Sequence, residues 1–391
     1  MKIAMVSQSY YPSLGGVTEH VHHLCGALRS LGHQVTIITA GHHNDGRDRP
    51  GEVIRIGRNA LFPINGALVN VTVGLRLRKR LENVFRCGDF DIIHIHSPLE
   101  PTLPLAALTA AGSVECPVVG TFHMSAGVSP AYEVFSEVLR THALRLDARI
   151  AVSHAARSFA MRYFPGEYMV VPNGVAFSRF AGRVEPVRKL ADGRTNILFV
   201  GRLDIRKRAP LLISAFKMLR REHPGSRLVI VGKGFMEPAC RAAAYPLTGK
   251  DIVFVGRVSP SDLPSYYGSS DIFSSVPAGS ESFGIVLLEA MAAGLPIVAT
   301  RIEGYREVVT DGVDGILVKP GDTAGLAGAL GRLVRDSELR TTMGRMGQKK
   351  AILFDWPRIA RRIADIYADL HTRPVYRRTC EPKRAKSIRL L

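Results

Sequence analysis

Two glutamates, Glu281 and Glu289, are the residues best suited to chemistry in this 391-residue chain. They bracket the run Glu281-Ser282-Phe283-Gly284-Ile285-Val286-Leu287-Leu288-Glu289. On a helix a spacing of eight turns through about 800°, which leaves the carboxylates within roughly 80° of one face. The spacing predicts Glu281 at an entry loop and Glu289 two turns along. Between them lie first-turn amides from Ser282 to Ile285. Carboxylates accept hydrogen bonds from hydroxyls and free amides hold phosphate, so the run suits a sugar diphosphate. An amphipathic surface helix is the plain alternative. It fits poorly, because Glu289 lies in the apolar stretch 285–299, where an unpaired charge is costly.

A second run, Gly201-Arg202-Leu203-Asp204-Ile205-Arg206-Lys207-Arg208, follows apolar residues 197–200 and carries four cations. Arg202 comes directly after the expected strand and should face a crevice, where a departing diphosphate needs positive charge. Arg206 and Arg208 read as a solvated basic loop. Gly15-Gly16 sits between the first apolar run and a helical pattern. Glycine there lets a ligand approach the backbone, and the helix start offers N–H groups and partial positive charge, so phosphate is the natural guest. An ordinary tight turn is the alternative. The pair is not GxGxxG and no acidic ribose partner is evident, which disfavours NAD. His94 and His96 share one face of a strand. They read as hydrogen-bonded residues at a strand end, since an HxH metal pair would need a third ligand that the sequence does not show. His123 ends the run 117–122 and should reach the cleft, to position an acceptor or support a transferred sugar.

The elements that must position these residues form two series. Strands are expected at 2–7, 34–39, 91–95, 117–122, 149–152 and 168–171, nearly continuous hydrophobic runs of the kind buried on both faces of a parallel sheet. Val17, Val21, Leu24, Leu28 and Leu31 form a helical stripe that ends at Gly32. After a soft segment, 180–193, a second series runs through 196–200, 227–231, 252–255, 272–275, 296–299 and 315–318. The fold class expected is α/β, with two doubly wound, Rossmann-like domains facing a central cleft. Their bounds are 1–180, completed by a helix over 356–371, and 181–355. A basic tail, 372–391, reads as disordered.

Hydrophobic content of 46% is ample for two cores. No apolar run reaches the roughly 18 residues of a membrane span. Met1 to Val6 is too short for a signal segment, so a cytosolic chain is expected. The five cysteines are scattered with no CxxC pair, against a disulfide framework or structural zinc. Net charge is +18, of which residues 76–86 and 372–391 supply +10. Localised charge of this kind suits an anionic surface, lipid or nucleic acid. Over 76–86, Leu77, Leu81, Val84 and Phe85 form one stripe of a helix, and Arg76, Lys79, Arg80 and Arg86 the other. That segment could lie on an anionic bilayer or pack its apolar face on the domain. A nucleic-acid-binding protein is the contrasting class, but the basic segments lack interleaved aromatics and no nucleic-acid motif occurs.

Taken together, Gly15-Gly16, Thr121-Phe122-His123-Met124-Ser125, Asn173-Gly174-Val175, Arg202 with Lys207, and the Glu281–Glu289 pair followed by Ala290-Met291-Ala292-Ala293-Gly294 resemble the retaining glycosyltransferases of family 4. The likeness runs to about Leu370 and implies the GT-B fold. Within that family, residues 88–96, Pro63-Ile64-Asn65-Gly66 and the basic helix resemble the phosphatidylinositol α-mannosyltransferases. The resemblance implies a GDP-mannose donor, a phosphatidylinositol-like lipid or polyol acceptor, and work at the cytosolic face of the plasma membrane, with Arg76, Arg78, Lys79 and Arg80 on the lipid surface.

By the same resemblance, Gly15, Gly16 and Gly201 line the donor, and Arg202 and Lys207 hold its diphosphate. Glu281 contacts sugar hydroxyls and Glu289 the ribose. The amides of Phe283, Gly284 and Ile285 face the sugar phosphate, and Arg257-Val258 meets the base. His123 joins the catalytic group, and Thr18 and Asn65 serve the acceptor. No cofactor or bound metal is implied, a divalent ion at most assisting weakly. There are two departures. Asn70 stands where the subfamily carries an acceptor-binding arginine, and Ser259-Pro260-Ser261 replaces its guanine-side polar residues. A family 4 enzyme using a UDP-sugar for polysaccharide or soluble glycan synthesis, and a nucleotide-sugar 2-epimerase of the same fold, are the enzymatic alternatives.

Overall fold

The computed structural model describes residues 1–13, 15–41, 51–64, 67–125 and 128–372, without the side chains of 61–70. Asn65, the side chain of Asn70 and the basic tail from 373 lie outside that description.

Two parallel sheets organise the chain. The first uses β1 (Lys2–Ser7), β2 (Gln34–Ala40), β3 (Val53–Ile56), β6 (Ile92–His96), β7 (Val118–Phe122), β8 (Ala148–Ala151) and β9 (Met169–Val170), in the order β3-β2-β1-β6-β7-β8-β9. The second uses β10 (Thr195–Val200), β11 (Ser226–Val231), β12 (Ile252–Gly256), β13 (Ile272–Ser275), β14 (Ile297–Thr300) and β15 (Gly315–Val318), in the order β12-β11-β10-β13-β14-β15. In each, strand order reverses beside the first strand, at β1/β6 and β10/β13, so a crevice opens beyond the carboxyl ends there. Twelve strands lie within a residue or so of their sequence-based bounds. Three do not appear in that reading: β3 and the antiparallel hairpin β4 (Arg58–Ile64) and β5 (Ala67–Val73). Arg55 interrupts β3, Arg58 and Asn59 open β4 and Asn70 breaks β5, so the continuous-run signal misses them.

Both faces of the first sheet are covered. Ala4, Val6, Ile93 and Ile95 pack under Leu81, Phe85 and Leu103 on one side. Ile3, Met5, Ile37 and Ile92 pack under Val21, Leu24 and Leu28 on the other, as a side-chain period of two requires. The second face also receives Trp356, Ile359, Ile363 and Tyr367 from the helix Trp356–Thr372, which returns from the end of the chain. Leu81 and Phe85 of the helix Leu77–Gly88 are thus core residues, and its apolar stripe is not available to a bilayer.

The two halves join along a double crossover. Val175 N donates to Phe354 O at 2.9 Å, and Trp356 N donates to Val175 O at 3.2 Å. A second link lies farther out: the amides of His154 and Ala155, opening the helix His154–Tyr163, donate to the two carboxylate oxygens of Glu307 at 2.7 and 2.8 Å. Gly174 lies against the Trp356 indole, where a Cβ would fall 2.5 Å from Cδ2. Gly174→Ala should therefore lower the unfolding free energy by about 1–3 kcal/mol through overpacking, measured by urea denaturation. An unchanged midpoint would show that the crossover yields freely.

Candidate active site

Glu281 and Lys207 meet at the carboxyl end of the second sheet, on the loops that follow its adjacent strands β13 and β10. Lys207 Nζ lies 2.8 Å from Glu281 Oε1, with the two side chains 13% and 16% exposed. The loop that carries Lys207 is pinned to its neighbours, Gly201 N to Val231 O at 3.0 Å and Leu203 N to Lys233 O at 3.1 Å. Buried Asp204 organises the cations around it. Its Oδ1 accepts from Lys207 N at 3.1 Å, and its Oδ2 accepts from Arg206 at 3.1 Å and lies 3.7 Å from Arg202. Arg202 itself is 53% exposed. Asp204 was visible in the sequence as the one acid in a basic run, but it carries no role in that reading.

The Glu281–Glu289 run differs from the expected helix. Ser282 and Phe283 lie in the preceding loop, Gly284 adopts φ +89° as the cap, and the helix is Ile285–Ala292. Glu289 is therefore about one turn along rather than two, and the face arithmetic does not apply across the loop. The cause is packing from below. A Cβ on Gly304 would meet Glu281 O at 2.2 Å, and one on Gly284 would meet the Tyr305 ring at 2.6 Å. Tyr305 is fully buried and hydrogen-bonded to Ser275 at 2.7 Å. Glu289 is partnered as well, accepting from the buried Tyr267 hydroxyl at 2.7 Å. Burial holds its carboxyl above the usual range, the Tyr267 bond works against that rise, and the Glu19 charge adds to it. Glu19 stands across the cleft, accepting from Tyr11 at 2.7 Å with His23 at 3.5 Å. Burial alone would raise its pKa, but the bonds from His23 and Tyr11 outweigh burial and lower it. With Ile285 and Trp356, the two glutamates line a cavity between the sheets.

Gly15 and Gly16 open the helix Gly16–Ser30 opposite, and a Cβ on Gly16 would lie 3.8 Å from Ile285 Cδ1. The starts of one helix from each half thus face each other. Thr18 is buried, its hydroxyl donating to Ser13 O at 2.8 Å, which ties the loop before that helix. At the carboxyl end of the edge strand β12, Arg257 is exposed and Val258 half-buried. The Ser259 hydroxyl is 2.7 Å from both Ser261 and Asp262, and Arg179 donates to Pro260 O.

Four histidines cluster at the ends of β6 and β7. His94 bridges Tyr367 (2.5 Å) and Thr121 (2.6 Å). His96 Nδ1 lies 2.9 Å from His123 Nε2, and His96 Nε2 lies 3.0 Å from Met5 Sδ. His20 bonds Asn173 at 2.7 Å and packs edge-on against His123, with ring centroids 4.9 Å apart. Nitrogens of His20, His96 and His123 lie within 4.8 Å of one another, a spacing that a divalent ion could bridge. The other two rings are far from the HxH pair in sequence; His123 is expected there from its place after the strand 117–122, whereas no local pattern points to His20. Of the residues expected at the membrane, Arg76, Arg78, Lys79 and Arg80 are exposed, with Arg78 on Glu82 at 2.7 Å. Leu75, just before them, is 91% exposed. No helix among the described residues is long and apolar enough to cross a membrane.

Burial lowers His20 to about 4 and His94 to about 3, and pushes His96 and His123 well below the ordinary value. A base with a depressed folded pKa contributes stability that is intact above its unfolded value, near 6.5, and lost as pH falls toward the folded one. Burial of Glu100 does the opposite: raised to about 7, it contributes fully below 4.5 and loses that contribution as pH rises through 7. With four bases against it, the unfolding free energy should drop between pH 7 and 5, each net proton contributing about 1.4 kcal/mol per pH unit. A flat profile in urea denaturation would mean that the histidines already carry charge in the fold.

Residues 14–179 match the family model "Glycosyltransferase Family 4" and residues 184–350 match "Glycosyl transferases group 1". A phosphatidyl-myo-inositol mannosyltransferase of Mycolicibacterium smegmatis is 35% identical over 369 residues, covering 94% of this chain and 93% of its own. A glycogen synthase of Mycobacterium tuberculosis is 29% identical over 399 residues, covering 94% of each chain. Among solved structures, Anabaena HepE with UDP-glucose superposes with a TM-score of 0.75 at 20% identity, covering 94% of this chain and all of the other. Two doubly wound sheets, a paired Glu281 and Lys207 at the carboxyl end of the second, and near full-length likeness to such enzymes lead to one statement: the chain belongs to the family 4 glycosyltransferases and has the GT-B fold.

Proposed function

We propose that this glycosyltransferase moves mannose from GDP-mannose, with retention at the anomeric carbon, to a lipid-linked polyol such as phosphatidylinositol at the inner face of the plasma membrane. The observation that carries the reading is the Lys207–Glu281 pair, with Glu281 on the loop just ahead of the helix start at Ile285 that faces Gly16. A donor would exchange that pairing for its own: Lys207 and Arg202 turn to the diphosphate, and Glu281 accepts from sugar hydroxyls. Gly15, Gly16 and Gly201 let the backbone approach. A Cβ on Gly15 would touch no protein atom, so internal packing does not demand glycine there. The amides of Phe283, Gly284 and Ile285 hold the sugar phosphate, Glu289 with Tyr267 takes the ribose, and Arg257 and Val258 meet the base.

The acceptor hydroxyl approaches the face that the phosphate leaves, and that phosphate takes its proton. The two cations stabilise the leaving group, so the reaction runs without a bound metal or other cofactor. Closure of the halves excludes water, which would otherwise hydrolyse the donor. The names of the similar mannosyltransferases support mannose and phosphatidylinositol. Asn70 and the Ser259–Ser261 loop keep a second reading in view, a UDP-sugar donor for glycan synthesis, which the likeness to a glycogen synthase favours.

Among nucleotide sugars, GDP-mannose should raise Tm most, by mass action. A larger shift with a UDP-sugar would replace the donor. Lys207→Met and Glu281→Gln should each cut turnover about 10²–10³-fold, the effect of losing one preorganised charge partner. Full activity in Glu281→Gln would remove the site assignment.

The membrane reading rests on cations rather than on an inserted helix face. Arg76, Arg78, Lys79 and Arg80 project from a helix whose apolar stripe is in the core, beside exposed Leu75. Each basic residue near an anionic surface contributes about 1 kcal/mol. Neutralising Arg76, Lys79 and Arg80 should weaken co-sedimentation with phosphatidylserine-containing liposomes roughly 100-fold. Equal binding to neutral and anionic vesicles would defeat this reading.

A further inference from the structure

We infer that Met5 and His96 are positioning residues that fix the tautomer of His123, so that His123 offers the cleft a bare Nδ1 lone pair instead of an N–H. The inference rests on the reading of this cleft as a sugar-nucleotide site and adds to it which proton His123 carries and what puts it there.

The argument starts at the sulfur. Met5 lies on β1 and is fully buried, and its Sδ is 3.0 Å from His96 Nε2. A thioether sulfur accepts a hydrogen bond but cannot donate one. The ring nitrogen facing it therefore carries the proton, since the opposite tautomer would set two lone pairs against each other. With Nε2 protonated and the ring neutral, His96 Nδ1 has a lone pair. That atom is 2.9 Å from His123 Nε2, which must then be the donor. A neutral His123 protonated at Nε2 is unprotonated at Nδ1.

The surroundings hold each step of this chain in place. His96 is 1% exposed, and burial disfavours charge on it and on His123. His94 stacks on His96 with ring centroids 4.6 Å apart, and its own two nitrogens are engaged by Tyr367 and Thr121. His20 packs edge-on against both His96 and His123. Of the four rings only His123, at the end of β7, is partly exposed. A divalent ion among His20, His96 and His123 would need the His96 lone pair that His123 Nε2–H already occupies, so His96 and His123 work as a hydrogen-bonded pair, with His20 packed edge-on against both and bonded to Asn173. The chemical consequence is restrictive. His123 can accept a hydrogen bond from a hydroxyl of the bound sugar, and it cannot protonate the leaving group.

The test has two arms. The full-length chain is labelled with ¹⁵N-histidine, and the tautomers are read at pH 7.5 by long-range ¹H–¹⁵N correlation. Nε2–H on both His96 and His123 is expected. Nδ1–H on His123, or an imidazolium, overturns the inference. This arm needs no donor, so it stands apart from the identity of the sugar nucleotide. In the second arm, turnover is measured with GDP-mannose. His96→Leu removes the acceptor and should lower kcat about tenfold with little change in donor KM, whereas His96→Asn places an oxygen near the lost Nδ1 and should recover most of it. Equal loss in both variants overturns the positioning role. If the wild type does not turn over GDP-mannose, that failure belongs to the donor assignment, and the spectrum still decides the tautomer.

Discussion

The geometry of the cleft depends on the double crossover where Val175 bonds Phe354 and Trp356. Each sheet alone would direct its loops to its own carboxyl edge. The crossover turns those edges toward each other, so that Glu19 of the first half and Glu289 of the second line one cavity. The return of the helix Trp356–Thr372 makes the link more than a tether. Its Trp356, Ile359, Ile363 and Tyr367 are core residues of the first half, so the segment after the second sheet is folded into the first half. The relation between the halves is fixed chiefly here, with the Glu307 link to His154 and Ala155 farther out.

Around that constraint the site is built from neutralised pairs. Lys207 holds Glu281, Asp204 gathers Arg202 and Arg206, and Tyr267 caps Glu289. A half-buried charge without a partner is expensive, and here each one has a polar or charged neighbour. The histidine cluster follows the same rule by a different route, remaining neutral through burial, with His96 and His123 sharing one hydrogen bond.

Much of this was legible in the sequence. Buried parallel strands announce themselves as continuous apolar runs, and most were placed to within a residue. The glutamates, the basic loop and the glycine pair stood out because their residue types are costly or unusual where they occur. What escaped is contact between distant segments. The pairing of Lys207 with Glu281 spans 74 positions, and the Met5–His96–His123 chain joins three strand ends. The loop at Ser282 and Phe283 was read as helix because Gly304 and Tyr305, which press on it from below, lie outside any local window. The helix 77–88 shows the limit differently: its amphipathic pattern was right, but a pattern does not say whether the apolar side meets a core or a lipid.

One feature beyond the cleft bears on how the halves move. Glu307, from the second half, clasps the first two amides of a helix in the first, with both oxygens engaged at once. Such a carboxylate also meets the positive end of the helix dipole. Any rotation that widens the groove on that side must release both bonds together and leave a helix start exposed. Separation of the halves is thereby made an abrupt, two-position event, more like a catch than a spring.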